Sequence, residues 1–193
     1  MNPWFGHGAL LLGLLLCVVL RAPYQKQSKN ITVAESRRGG LETFLLTLMA
    51  FGFLLLPVAA MTPLLAFAEY RLHPAAFTAG AGCMVAALWL FHRSHADLGR
   101  NWSVTLELRE GHRIVDHGVY RRVRHPMYTS IFLYGLAQAL LQPNWLSGPS
   151  CFCAFTTMFV CRLRREEQMM LDQFGAEYEA YRARTRQLIP GVW

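Results

Sequence analysis

Apolar residues fall in long runs separated by short charged stretches, without the alternation of half-buried strands or the narrow stripe of soluble amphipathic helices. The first run is Trp4 to Leu20. The second, Leu41 to Met61, is long enough to cross about 30 Å of hydrocarbon at about 1.5 Å per residue, with Pro57 and Pro63 bending or ending it. The third, Ala75 to Phe91, carries Ala79, Gly80, Gly82, Ala86 and Ala87, small residues that let helix backbones approach closely. Apolar residues resume at Ile131 to Leu141, pause at Gln142-Pro143-Asn144, and run again from Trp145 to Val160. This predicts a helical hairpin whose first arm starts near Pro126, a residue suited to a helix's first turn. A charged amphipathic segment follows, Arg162 to Arg186, broken at Gly175 and read as two short helices on the membrane surface. The expectation is a single all-α, polytopic membrane domain over 1–193, with about five transmembrane helices and a C-terminal helical cap. The segment 1–91 supplies three of the spans.

Charge tests this layout independently. The stretch Arg21 to Gly40 holds five Lys or Arg, Arg93 to Tyr128 holds seven, and Arg162 onward holds six; the two intervening connections hold Arg71 and none. Basic residues thus fall on alternate connections, which by the positive-inside rule puts the N-terminus outside and the long loop and the C-terminal segment in the cytoplasm. The first run has neither a basic stretch before it nor a small-residue cleavage site after it, so it is expected to be retained rather than cleaved.

Composition agrees: 53% of residues are hydrophobic and 16% charged, too apolar for a soluble domain of 193 residues. The net charge of +7 lies at the ends of apolar runs, where it reports topology and anionic headgroups rather than nucleic acid. Cys17, Cys83, Cys151, Cys153 and Cys161 lie in or beside apolar runs with no Cys-x-x-Cys pair, and the histidines show no ligand spacing, so no disulfide framework or metal site is expected.

Four polar clusters sit on the side assigned to the cytoplasm: His95 to Ser103; Gly111 to Val115 with Gly118-Val119-Tyr120; Arg124-His125-Pro126-Met127-Tyr128; and Arg162 to Glu167, followed by Phe174-Gly175 and Tyr178. The third puts an imidazole and a phenol at the start of a membrane helix, whose free N–H groups favour an electron-rich group; the same rings also serve as interfacial anchors. In the fourth, Arg162 and Glu166 share a helix face, either to hold an anion and a cation or as an ordinary surface pair. Glu167 points about 100° away and is expected to be solvated or paired with Arg164 or Arg165. No Gly-x-Gly-x-x-Gly follows a strand, which excludes a Rossmann-type nucleotide site.

The order of these pieces closely resembles the isoprenylcysteine carboxyl methyltransferase family and its short prokaryotic members. The likeness is carried by His95-x-x-Leu98-Gly99-x-x-Trp102-Ser103, Gly118-Val119-Tyr120, Arg124-His125-Pro126-x-Tyr128, Glu166-Glu167, Phe174-Gly175-x-x-Tyr178-x-x-Tyr181 and Arg186-x-x-x-Pro190, all within 92–193. The resemblance implies an S-adenosylmethionine-dependent transferase that methylates a lipid substrate entering from the bilayer, such as the carboxylate of an isoprenylcysteine-like lipid, with no obligate protein partner. It implies cofactor contacts at His112, Arg113, Ile114, Val115, Tyr120, His125, Pro126, Met127, Tyr128 and Glu166, and it sets Arg162 against the substrate carboxylate as the catalytic residue. Thr105 stands where eukaryotic members carry a glutamine. Other acceptors, a phospholipid amine or a small thiol, fit the same reaction. Two other classes stand beside it: a nicotinamide-dependent sterol-type reductase, whose C-terminal region looks similar, and a non-enzymatic membrane protein.

Overall fold

The computed structural model describes residues 1–29, 33–36, 39–99, 107–109 and 113–191, with side chains outside 28–38 and 107–109. His112 and Thr105 lie outside the described residues. The chain is a helical bundle: α1 (Trp4–Lys29), α2 (Gly40–Ala50), α3 (Leu56–Ala59), α4 (Pro74–Leu98), α5 (Pro126–Leu141), α6 (Ser150–Phe174) and α7 (Ala176–Arg184). Among the described residues a short antiparallel ribbon joins β1 (Val33–Ser36) to β2 (Glu107–Arg109), with Ser36 opposite Glu107.

Three of the described helices are long and apolar enough to cross a membrane: Trp4–Gln27, Gly40–Ala59 and Pro74–Leu98. They expose Leu15, Phe44, Val85 and Trp89, as expected of side chains bathed in lipid. The hairpin expected to supply two further spans is present as α5 and α6, but α5 has only 16 residues and α6 is apolar only up to Cys161. α5 packs inside the bundle. Tyr134, Ala137 and Leu141 pack against Leu10 of α1 and Met84 and Ala87 of α4. Close approach requires glycine: a Cβ at Gly80 would stand 2.8 Å from Leu141 Cγ, and one at Gly135 would stand 2.9 Å from Phe152 Cα.

The second span is interrupted where the sequence placed its proline. Between α2 and α3 the residues Phe51–Leu55 form one π-helical turn, and Pro57 has no N–H to return to a carbonyl one turn back. The Gly52 carbonyl instead accepts from Gln138 Nε2 at 3.1 Å and Ser150 Oγ at 2.7 Å, so α5 and α6 satisfy the broken ladder of α2.

The pause at 142–144 is a buried polar turn. Asn144 Nδ2 donates to Leu65 O at 2.8 Å, and the backbone N–H groups of Tyr70 and Trp145 donate to Pro143 O and Ala68 O. On the opposite side, α6 does not stop at the charged residues. It continues unbroken to Phe174, so the first of the two expected surface helices is the outer half of α6; only α7, after the positive-φ Gly175, is separate. No glycine or proline lies between Cys161 and Phe174 to end the helix.

Candidate active site

The site sits where α5 begins and α6 leaves its apolar half. His125 is the N-cap of α5 and Pro126 its first residue, so the helix start is fixed by proline geometry. The His125 ring stacks on Tyr128, one turn along, with centroids 5.3 Å apart and planes at 19°. Tyr128 is buried edge-on against Phe155 and Phe159 of α6. Its hydroxyl makes no hydrogen bond of good geometry and lies beside the Glu166 carboxylate.

Arg162 and Glu166 form the expected pair on α6, Nε to Oε1 at 2.7 Å, but it is not a surface pair: their side chains are 8% and 16% exposed. Arg162 also meets a carboxylate absent from the sequence reading, Glu42 of α2, with Nη1 3.2 Å from Oε1. One guanidinium therefore lies between two acidic side chains, at a helix contact lined by Leu45, Phe159 and Leu163. The signal for Glu42 was its being an ionisable residue inside an apolar run.

Glu167 corrects the sequence reading. It is buried, not solvated, and its partners are neither Arg164 nor Arg165. Arg124 Nε reaches its Oε1 at 2.8 Å, His125 Nε2 lies 3.3 Å away, and Arg182 Nε of α7 is 3.6 Å from Oε2. Burial alone would raise this carboxyl's pKa; the hydrogen bonds from His125 and Arg124 overcome it and bring it down to about 2. His125 thus stands between two carboxylates, with Nδ1 3.8 Å from Glu166 Oε2.

A strap closes the cluster. Residues 186–188 run alongside 122–129: Arg186 N donates to Arg122 O, Arg124 N to Arg186 O, His125 N to Gln187 O, and Thr129 Oγ1 to Leu188 O at 2.8 Å. Arg124 Nη1 adds a bond to Thr185 O at 2.7 Å. Tyr120 is buried under α7, where its carbonyl accepts from Tyr181 Oη at 2.8 Å and its hydroxyl approaches Ser94 O at 3.5 Å. Burial pushes both phenols above their ordinary pKa, so both remain neutral.

Of the residues expected at the site, His125, Pro126, Tyr128, Arg162 and Glu166 converge. Met127 is half-buried beside them and holds Ser130 through its carbonyl. Arg113, Ile114 and Val115 form no regular element, with Arg113 exposed. Membraneward of the cluster lies a largely apolar cavity of about 290 Å³ between α1, α2, α4 and α5, with Leu46, Met49 and Ile131 in its wall.

This arrangement can hold a cation and an anion side by side. Glu166 and the faces of Tyr128 and His125 favour a sulfonium or ammonium, and Arg162 favours a carboxylate. The buried Tyr128 hydroxyl leaves a polar atom for a ligand to meet.

Comparison with known proteins converges on the same half of the chain. Residues 80–172 match the sequence model of the isoprenylcysteine carboxyl methyltransferase family. A protein-S-isoprenylcysteine O-methyltransferase of Schizosaccharomyces pombe is 28% identical over 115 residues, 58% of this chain and 49% of its own length. That of Tribolium castaneum is 33% identical over 92 residues, 48% of this chain and 33% of its own length. The matches thus span half or less of these relatives. Among solved structures, the eukaryotic intramembrane Ras methyltransferase, an isoprenylcysteine carboxyl methyltransferase, superposes with a TM-score of 0.59 at 21% identity, covering 95% of this chain and 73% of that one. At that identity the likeness establishes a shared membrane fold.

Proposed function

Because residues 80–172 match the model of the isoprenylcysteine carboxyl methyltransferase family, we propose that this chain is a member of that family and transfers a methyl group from S-adenosylmethionine to an acceptor delivered by the membrane, the acceptor being the carboxylate of an isoprenylcysteine-like lipid. The observation that carries this reading is the row His125, Glu166, Arg162, the first two partly buried and the last buried, in which a site for positive charge adjoins one for negative charge. S-adenosylmethionine, when bound, supplies a methyl group on a cationic sulfur.

Each residue's part follows from its chemistry. Glu166 holds positive charge close to Arg162, while Tyr128 and His125 offer ring faces and a hydroxyl for orientation. Arg162 would hold the acceptor carboxylate. That carboxylate is already ionised at neutral pH, so its methylation by the bound donor, which would depart as a neutral thioether, would need no proton acceptor from the chain. Phe155, Phe159 and Leu163 keep water from this contact, which strengthens its electrostatics. Arg113 to Val115, with His112 ahead of them, belong to the proposed cofactor-contacting stretch. The basic connections support a site on the cytoplasmic side, within reach of a soluble methyl donor, by the positive-inside rule.

Calorimetry on detergent-purified protein tests the reading. S-adenosylhomocysteine is expected to bind, NADPH not to bind, and Glu166→Ala to weaken the former by at least about tenfold. Absence of S-adenosylhomocysteine binding to the unaltered protein would overturn the methyltransferase reading. Unchanged binding in the variant would remove Glu166 from the site.

A further inference from the structure

Glu42 is an unexpected neighbour for a residue assigned to an acceptor's carboxylate. It comes from α2, in the half of the chain outside the family match, and is 6% exposed. Its contact with Arg162, 3.2 Å at Nη1, is longer than that of Glu166, 2.7 Å at Nε, and engages a different nitrogen of the guanidinium. A carboxylate buried at the end of a membrane helix costs free energy unless a cation or helix N-terminus offsets it; Glu42 has both, standing in the first turn of α2.

The rest of that helix face explains the position. Leu46, Met49, Ala50 and Phe53 follow Glu42 at helical spacing and line the 290 Å³ cavity. Leu46, Met49 and Ile131 also pack against the cluster containing Tyr128, Phe155 and Leu163, so the cavity borders the site. A carboxylate on Arg162 followed by an apolar path into the cavity is the outline of an apolar-chain carboxylic acid.

Resting on the proposed methyl-transfer reading, we infer that Glu42 is the acceptor-selecting residue: it occupies the Nη1 edge of Arg162 that an acceptor carboxylate takes, and an apolar-chain acid must displace it to bind. Glu166 stays in place on Nε. Acids without a tail for the cavity lack the apolar contacts that offset this displacement. Arg21, a charged residue in the cavity wall, is the competing anchor.

The test uses the full chain in detergent with S-adenosylhomocysteine present and measures binding of an N-acetylated farnesylcysteine and of its carboxamide. Glu42→Gln keeps the shape and removes the competitor. The acid is expected to bind about tenfold tighter, the amide to change less than about twofold, and the gain to appear in turnover as a lower KM for the acid. If the glutamine variant does not fold, Glu42→Asp, which withdraws the carboxylate from Arg162, should tighten the acid in the same direction. Unchanged or weaker acid binding, or equal shifts for acid and amide, overturns the assignment. So does control of acid affinity by Arg21→Gln alone, or loss of methyl transfer to phosphatidylethanolamine specifically, which would make Glu42 the partner of an amine. Intact S-adenosylhomocysteine binding alongside any of these defeats only the role of Glu42; its absence from the unaltered protein defeats the methyltransferase reading itself.

Discussion

Arg124 and Glu167, 43 residues apart, meet at 2.8 Å with both side chains at or below 10% exposure. Because the folded protein holds the Glu167 carboxyl at about 2, below its ordinary 4.5, its contribution to stability is complete above pH 4.5 and is lost as pH falls through 2. The size is on the order of 3 kcal/mol. Thermal unfolding in detergent between pH 6 and pH 2.5 should show a fall in Tm that Glu167→Gln flattens; the variant should also start lower at pH 6. Parallel acid limbs in the two proteins would mean that other carboxylates carry the acid sensitivity.

The bond from Gln138 to Gly52 makes a second prediction. Gln138→Leu fills a similar volume but leaves the Gly52 carbonyl with Ser150 alone and the Ser147 carbonyl without this donor. A loss of about 2 kcal/mol is expected by equilibrium unfolding in mixed micelles, against about 1 kcal/mol for Ser150→Ala. A neutral Gln138→Leu would show that the π-helical turn does not need its side-chain partner.

Topology is tested at exposed positions, since the turn at 142–144 is buried. A cysteine at Trp145, which is 72% exposed, should react with a membrane-impermeant maleimide from outside intact cells. One at the exposed Glu177 should react only after permeabilisation. The reverse pattern would put the proposed site on the outer face.

The apolar runs, the proline opening α5, the break before α6 and the Gly175 hinge were legible in the sequence, because each is written in local composition. What was not legible depends on partners remote in the chain. The helix wheel correctly turned Glu167 away from Glu166, but could not show that Arg124 and α7 come round to that face. Charge along Arg162 to Phe174 was read as a change of element, although the absence of a breaker allowed one continuous helix. Glu42 was visible as a lone acid in an apolar run; its pairing with Arg162 was not, since it joins the first half of the chain to the second. The pairing of β1 with β2 likewise has no alternating pattern to announce it.

The strap at 186–188 sets an order of events during biosynthesis. The described helices are all synthesised before these residues, so the start of α5 cannot have its backbone partners until translation has passed residue 188. A ribosome stalled in α7 would hold a chain in which Arg124 and His125 still lack the carbonyls of Arg186 and Gln187.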